Sequence, residues 1–222
     1  FKSQKYNQRD VLFNITNSNW TKSYENIGRI ATNEEELNFL DEEIIINNKK
    51  QTIGQYLFYC NILTNAKISI EKINESIEAI KYGIIQLAKE FTKREEYNAY
   101  KHGLRLIPAV NKISLLNIET KNEELSYNID DSMSFYAKTK NKDELKVVTK
   151  LFDYERDFNM TIVCSNFIHQ LIYFRRLSYD FDNDTKKKEQ IPVFFYSKEN
   201  LLECNKINVE IQDIIYTVKQ VK

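Results

Sequence analysis

Residues 66–91 read AKISIEKINESIEAIKYGIIQLAKEF, and this stretch decides the fold. Its apolar residues Ile70, Ile73, Ile77, Ile80, Ile84, Leu87 and Phe91 recur every three or four positions. A helix turns 100° per residue, so these side chains form one stripe, with Lys and Glu between them on the outer positions. A seam this regular wants another helix against it, from the same chain or from a second subunit. The spacing therefore predicts a long helix over 66–91 inside a helical bundle.

Working outward, Gln51 to Thr64 reads as a helix with Ile53, Leu57 and Cys60 on one face. Thr92-Lys93-Arg94-Glu95 fits the S/T-x-x-E capping box, which predicts a new helix from there to about Ile107, before Pro108. One unbroken helix over 66–106 is the alternative. A second long helix is predicted from Leu145 to Tyr179, with Leu151, Tyr154, Phe158, Ile162, Ile168 and Ile172 as its apolar face. Between these helices the pattern changes to period two. Leu125, Tyr127 and Ile129 alternate with polar residues, as do Met133, Phe135 and Ala137. With Ile113 to Ile118 they predict a three-stranded antiparallel meander, turning at Lys121-Asn122-Glu123 and at Asp130-Asp131. Near the start, Asn33-Glu34-Glu35-Glu36 opens a helix and Ile44-Ile45-Ile46 forms a short strand. Near the end, Pro192 to Tyr196 and Ile207, Val209 and Ile211 read as strands around a helical turn at Ser197 to Cys204. The expected fold is mainly α within an α+β class. A helical bundle over 51–107 and 145–179 carries a small antiparallel β-sheet from 112–140 and 191–218, within one domain over 1–222.

Composition narrows the function classes. The 32 basic and 32 acidic residues give a net charge of +0, so any binding of a polyanion must come from a local patch. Neutrality and the regular Ile seam together lead us to expect a homodimer. The four glycines, Gly28, Gly54, Gly83 and Gly103, are isolated, which excludes the glycine clusters of dinucleotide-binding and P-loop enzymes. Cys60, Cys164 and Cys204 form no C-x-x-C pair, and neither histidine follows an acid at metal-ligand spacing. No metal and no cofactor is expected. Reduced cysteines point to a cytoplasmic setting, and no apolar run reaches membrane-spanning length, so no membrane partner is expected.

One segment carries a chemical signal. Over Arg94 to Arg105 a helical wheel gathers Arg94, Asn98, Lys101, His102 and Arg105 within an arc of about 100°. The polar face holds cationic groups and an amide but no acid. Solvated helix faces usually mix both signs to gain pairs one turn apart, so an anion answers this one: a carboxylate of the fold, an acidic protein partner, or a phosphate. In the phosphate case His102 is the general acid or base, Arg94 and Asn98 complete the catalytic set, and Lys101 and Arg105 bind phosphate. On the second long helix Asn166 and His169, in a polar stripe with Glu155, Asn159 and Tyr173, are expected to line a cleft facing that segment.

Asn98-Ala99-Tyr100-Lys101-His102-Gly103, following a long amphipathic helix, resembles the N-x-x-K-H segment of HEPN-like proteins. The resemblance covers about residues 66–105. Arg94 and His102 have seven residues between them, against four to six in the family's catalytic pattern. HEPN domains are helical bundles, commonly dimeric, and many are metal-independent ribonucleases of bacterial defence systems. The resemblance thus implies RNA as partner and RNA cleavage or binding as activity. The other expectation is a non-catalytic helical module that docks an acidic protein.

Overall fold

The computed structural model describes residues 19–46, 48–60, 68–93, 96, 98–99, 101, 103, 106–107, 112–137, 139, 144–180, 193–209 and 213–219. In chain order the elements begin with α1 (Trp20–Thr32), a 3₁₀ stretch (Glu34–Asp41), the hairpin β1 (Glu43–Ile46) and β2 (Lys49–Thr52), α2 (Ile53–Tyr59) and α3 (Ile70–Phe91). The rest are β3 (Leu106–Ile107), β4 (Lys112–Leu116), β5 (Glu123–Asn128), β6 (Ser132–Ala137), β7 (Glu144–Leu151), α4 (Tyr154–Asp180), α5 (Lys198–Cys204) and β8 (Asp213–Lys219). The fold is mixed α+β and mainly helical, with a small antiparallel sheet.

Helix starts follow local chemistry. Side-chain oxygens of Asn19, Thr52, Ser69 and Ser197 accept from backbone N–H groups of the first turns of α1, α2, α3 and α5. At α2 the cap is reciprocal, because the Gln55 side chain accepts from Thr52 N at 2.9 Å. Thr92, by contrast, closes α3. Its Oγ1 donates to the Lys89 carbonyl at 2.8 Å and its N–H to the Ala88 carbonyl. The predicted break after Phe91 is therefore present, and Arg94 and Glu95 of the predicted capping box lie outside the described residues.

The middle of the Ile stripe is buried within the chain, and its ends Ile70 and Phe91 are exposed. Ile73, Ile77 and Ile80 of α3 pack with Phe58 and Tyr59 of α2, Val163 and Phe167 of α4, and Leu201 of α5. Full burial of each such side chain contributes about 1.5–3 kcal/mol. A second cluster joins Ile85 of α3 to Leu37, Leu40 and Ile53. Several polar groups inside are answered, while Gln170 Oε1 and the Tyr196 hydroxyl are buried without a partner among the described residues. Ser76 Oγ lies 2.5 Å from the Tyr59 hydroxyl and accepts from Tyr196 N at 2.7 Å, while Gln170 donates to the Phe58 carbonyl at 3.0 Å. Between α3 and α4 the contact depends on a glycine. A Cβ built at Gly83 would stand 2.7 Å from the Phe167 ring.

Several boundaries differ from the sequence reading. Residues 144–151 form strand β7, not the start of the second long helix, because Asp153 caps α4 and the Val147-Val148-Thr149 run favours a pleated surface. The expected meander is split. β4 and β5 form a separate hairpin, while β6 lies between β3 and β7 in the order β3-β6-β7-β8. Residues 106–107 belong to that sheet, pairing with Ser134 and Phe135, so the helix expected up to Ile107 stops earlier. The last strand runs over 213–219, downstream of Ile207 and Val209, and residues 193–197 form no strand.

Gly83→Ala tests the α3–α4 contact. Alanine gains about 1 kcal/mol of helix propensity, while overpacking against the buried Phe167 costs about 1–3 kcal/mol. The expected outcome in denaturant unfolding is net destabilisation of about 1 kcal/mol, and a stabilised variant would contradict the close approach.

Candidate functional site

Two regions bear on function: the segment around Ala99 and the outer side of α4. Residues 96, 98, 99 and 101 are helical. Ala99 is fully buried with Phe135 of β6 and Val148 of β7, which seats the segment on the sheet. Glu96 anchors it through an ion pair of 2.6 Å with Lys150, both side chains largely shielded. Gly103 ends the turn. Its N–H donates to the Ala99 carbonyl at 3.1 Å, and its φ of +61° is the left-handed conformation that suits glycine at a helix end. Lys101, about 200° around the helix from Ala99, is exposed, and Asn98 is half-buried at the flank. Arg94, His102 and Arg105 lie outside the described residues. Of the expected catalytic and phosphate-binding set, then, Asn98 and Lys101 have a described setting.

Helix α4 presents two apolar sides. The inner side buries Met160, Val163, Phe167 and Phe174. The outer side carries Tyr154 at 61% exposure, Phe158 at 66%, Ile162 at 42%, Ile168 at 51% and Ile172 at 63%. These five residues of α4 are the apolar face expected from the sequence, so the core has taken the opposite side. His169 is exposed beside this outer stripe, its ring parallel to that of Tyr173 at 6.5 Å, and Asn166 is half-buried at the edge. Asn98 and Lys101 sit on the sheet-packed segment, whereas His169 sits on the solvent side of α4. No helix among the described residues is long and apolar enough to cross a membrane.

The start of α4 holds a buried charged cluster that the sequence reading missed. The Asp153 carboxylate accepts from Asn208 N at 2.6 Å and from Arg156 N at 3.1 Å. The buried Arg156 guanidinium donates to Asn205 at 3.1 Å, to Asp157 at 3.2 Å and to Glu90 at the end of α3. Glu90 also pairs with Lys93 at 2.8 Å. Arg156 spends donors at each of its three nitrogens inside the chain, so the cluster is a brace between α3, α4 and the turn after α5. The signal in the sequence was Asp153 followed by acids at 155 and 157, a helix start; nothing in the spacing marked Arg156 as buried.

Burial alone would raise the Asp153 carboxyl. The hydrogen bonds from Asn208 and the Arg156 backbone outweigh it and hold the group below the ordinary range. At Glu90 burial is likewise overcome, by Lys93 and Arg156. A carboxylate depressed in the folded state stabilises the fold above its unfolded pKa, about 3.9 for Asp and 4.3 for Glu. That contribution is lost as pH falls through the lower folded value. Asp153→Asn is expected to cost about 1–3 kcal/mol at neutral pH and to flatten the loss of stability below about pH 4. Urea titrations at a series of pH values check this, and an unchanged acid slope would contradict it.

Comparison of the chain with family models, with curated proteins and with solved structures gives no match.

Proposed function

We propose that this chain is a non-catalytic protein interaction module whose docking surface is the outer side of α4. The observation that carries the reading is the row Tyr154, Phe158, Ile162, Ile168 and Ile172, exposed along one side of a long helix whose other side is already in the core. Single exposed apolar residues are ordinary on protein surfaces; five large ones on one side of a helix, in two groups parted by Thr161 and Ser165, mark an interface. The stripe is apolar, so it suits an apolar helix or sheet face and not the acidic partner expected from the Arg94–Arg105 segment. Photo-crosslinking tests the reading. A benzophenone side chain at position 158 is expected to give a discrete crosslinked product in the cell of origin, and one at position 199, exposed on α5, none. No product at 158, or equal products at both positions, would contradict it.

Metal-independent action on RNA, the HEPN-like reading, is the second. Lys101 supports it by standing exposed on the side of its helical turn away from the sheet. If it holds, wild-type protein in EDTA cleaves a mixed RNA pool to 2′,3′-cyclic phosphate ends, while His102→Ala folds normally and does not. Cleavage that persists in the variant would remove His102 from the mechanism.

A further inference from the structure

We propose that a second copy of this chain occupies the outer side of α4, the two α4 helices lying antiparallel about a two-fold axis near Val163. The inference rests on the reading of that side as a docking surface and names its occupant.

The chain is 29% charged, yet from Phe158 to Phe174 it contains no Asp, Glu, Lys or Arg. A helix side that stays in water normally carries such residues. The uncharged run spans the solvent side of α4 as fully as its buried side. Acids sit instead at the start of the helix, at Glu155 and Asp157. Parallel packing of two copies would set these like charges together. Antiparallel packing separates them and opposes the two helix dipoles. It also places Glu155 beside the partner's His169 and the partner's Tyr173, which offer hydrogen-bond donors.

With the axis near residue 163, Tyr154 lies level with the partner's Ile172 and Phe158 with the partner's Ile168. Thr161 lies level with the partner's Ser165, so small residues meet near the centre, where the backbones come closest, with large ones on either side. This is the self-complementary pattern that a two-fold interface demands, in which each residue meets the counterpart of its own partner.

Large apolar side chains carry roughly 150–250 Å² each. Five of them at the exposures above present on the order of 500 Å², near the upper end for the largest patch on a monomer. Two copies face to face would bury roughly 1,000 Å², the lower limit of a specific interface. The middle of the Ile stripe of α3, the seam that suggests a dimer from the sequence, is spent on the core.

Sedimentation equilibrium of the full chain tests the proposal, with Phe158→Glu, Ile168→Lys and the double variant alongside. All the changed positions are exposed, so circular dichroism should barely change, nor should the melting temperature at a dilution where the wild type is monomeric. The wild type is expected to dimerise in the micromolar range, and each single variant to weaken the dimer about tenfold or more. In the double variant each glutamate faces the partner's lysine, and dimerisation is expected to return. A wild type that stays monomeric at high concentration overturns the second copy as occupant. The docking surface then stands or falls separately, on whether the position-158 crosslink appears at a mass other than two chains. Single variants that dissociate with no recovery in the double overturn the antiparallel arrangement.

Discussion

A helix can give only part of its circumference to one core, and α4 carries apolar side chains on two sides. The structure depends on which side is chosen. Phe167 finds a slot over Gly83 of α3, Val163 meets the Ile73–Ile80 stripe, and Gln170 reaches the Phe58 carbonyl. Once those contacts form, Phe158, Ile162, Ile168 and Ile172 must face outward, since they stand on the far side of the same helix. An uncharged exposed stripe is thus a direct consequence of how the core is packed. Loss of the slot at Gly83 would remove the reason for this rotation.

The rotation of α4 is fixed a second time at its start. Arg156 lies on the inward side, where an unpaired cation would be costly, and it is tolerated because Asn205, Asp157 and Glu90 receive it. Asp153 ties the same turn to Asn208. Just before it, Phe152 N donates to the Asp131 carbonyl at 2.8 Å, so the end of β7 and the β5–β6 turn are held together where the sheet gives way to the helix. The segment around Ala99 completes the arrangement by covering Phe135 and Val148 on the sheet. Lys101 is left facing away from that contact.

The central helix was legible because Ile70 to Phe91 keeps one unambiguous period, and burial follows that period through Ile73, Ile77 and Ile80 before passing to Ile85 and Ala88. Strand β1 was legible from the Ile44–Ile46 run ending near Asn48, a residue that tolerates the positive φ found there, and the turn near Lys121 from the alternation that follows it; the pairing strand β2 was not, because Gln51 read as the start of a helix. The second helix was legible in extent only in part. Val147-Val148-Thr149 and the capping Asp153 mark a strand followed by a helix start, but apolar residues continue through both and hide the junction. Its orientation was not legible, since either side of α4 could serve as a core face by composition. Partner geometry, in the form of a glycine on another helix, made the choice. Burial of Arg156 was illegible for the same reason, as its partners come from positions 90, 157 and 205. For the candidate site, the cationic pattern could be read from Arg94 to Arg105, and the sheet contact that directs Lys101 outward could not.

The central claim is that α4 faces the core with Phe167 and Phe174 and faces outward with Tyr154 and Phe158. Hydroxyl-radical footprinting of the unmodified chain, at a dilution that favours monomer, reads this directly through side-chain oxidation at each aromatic. The account predicts fast oxidation at Tyr154 and Phe158 and strong protection at Phe167 and Phe174. Fast oxidation at Phe167 with protection at Phe158 would mean that the helix is turned the other way, and would contradict the core and the docking surface together.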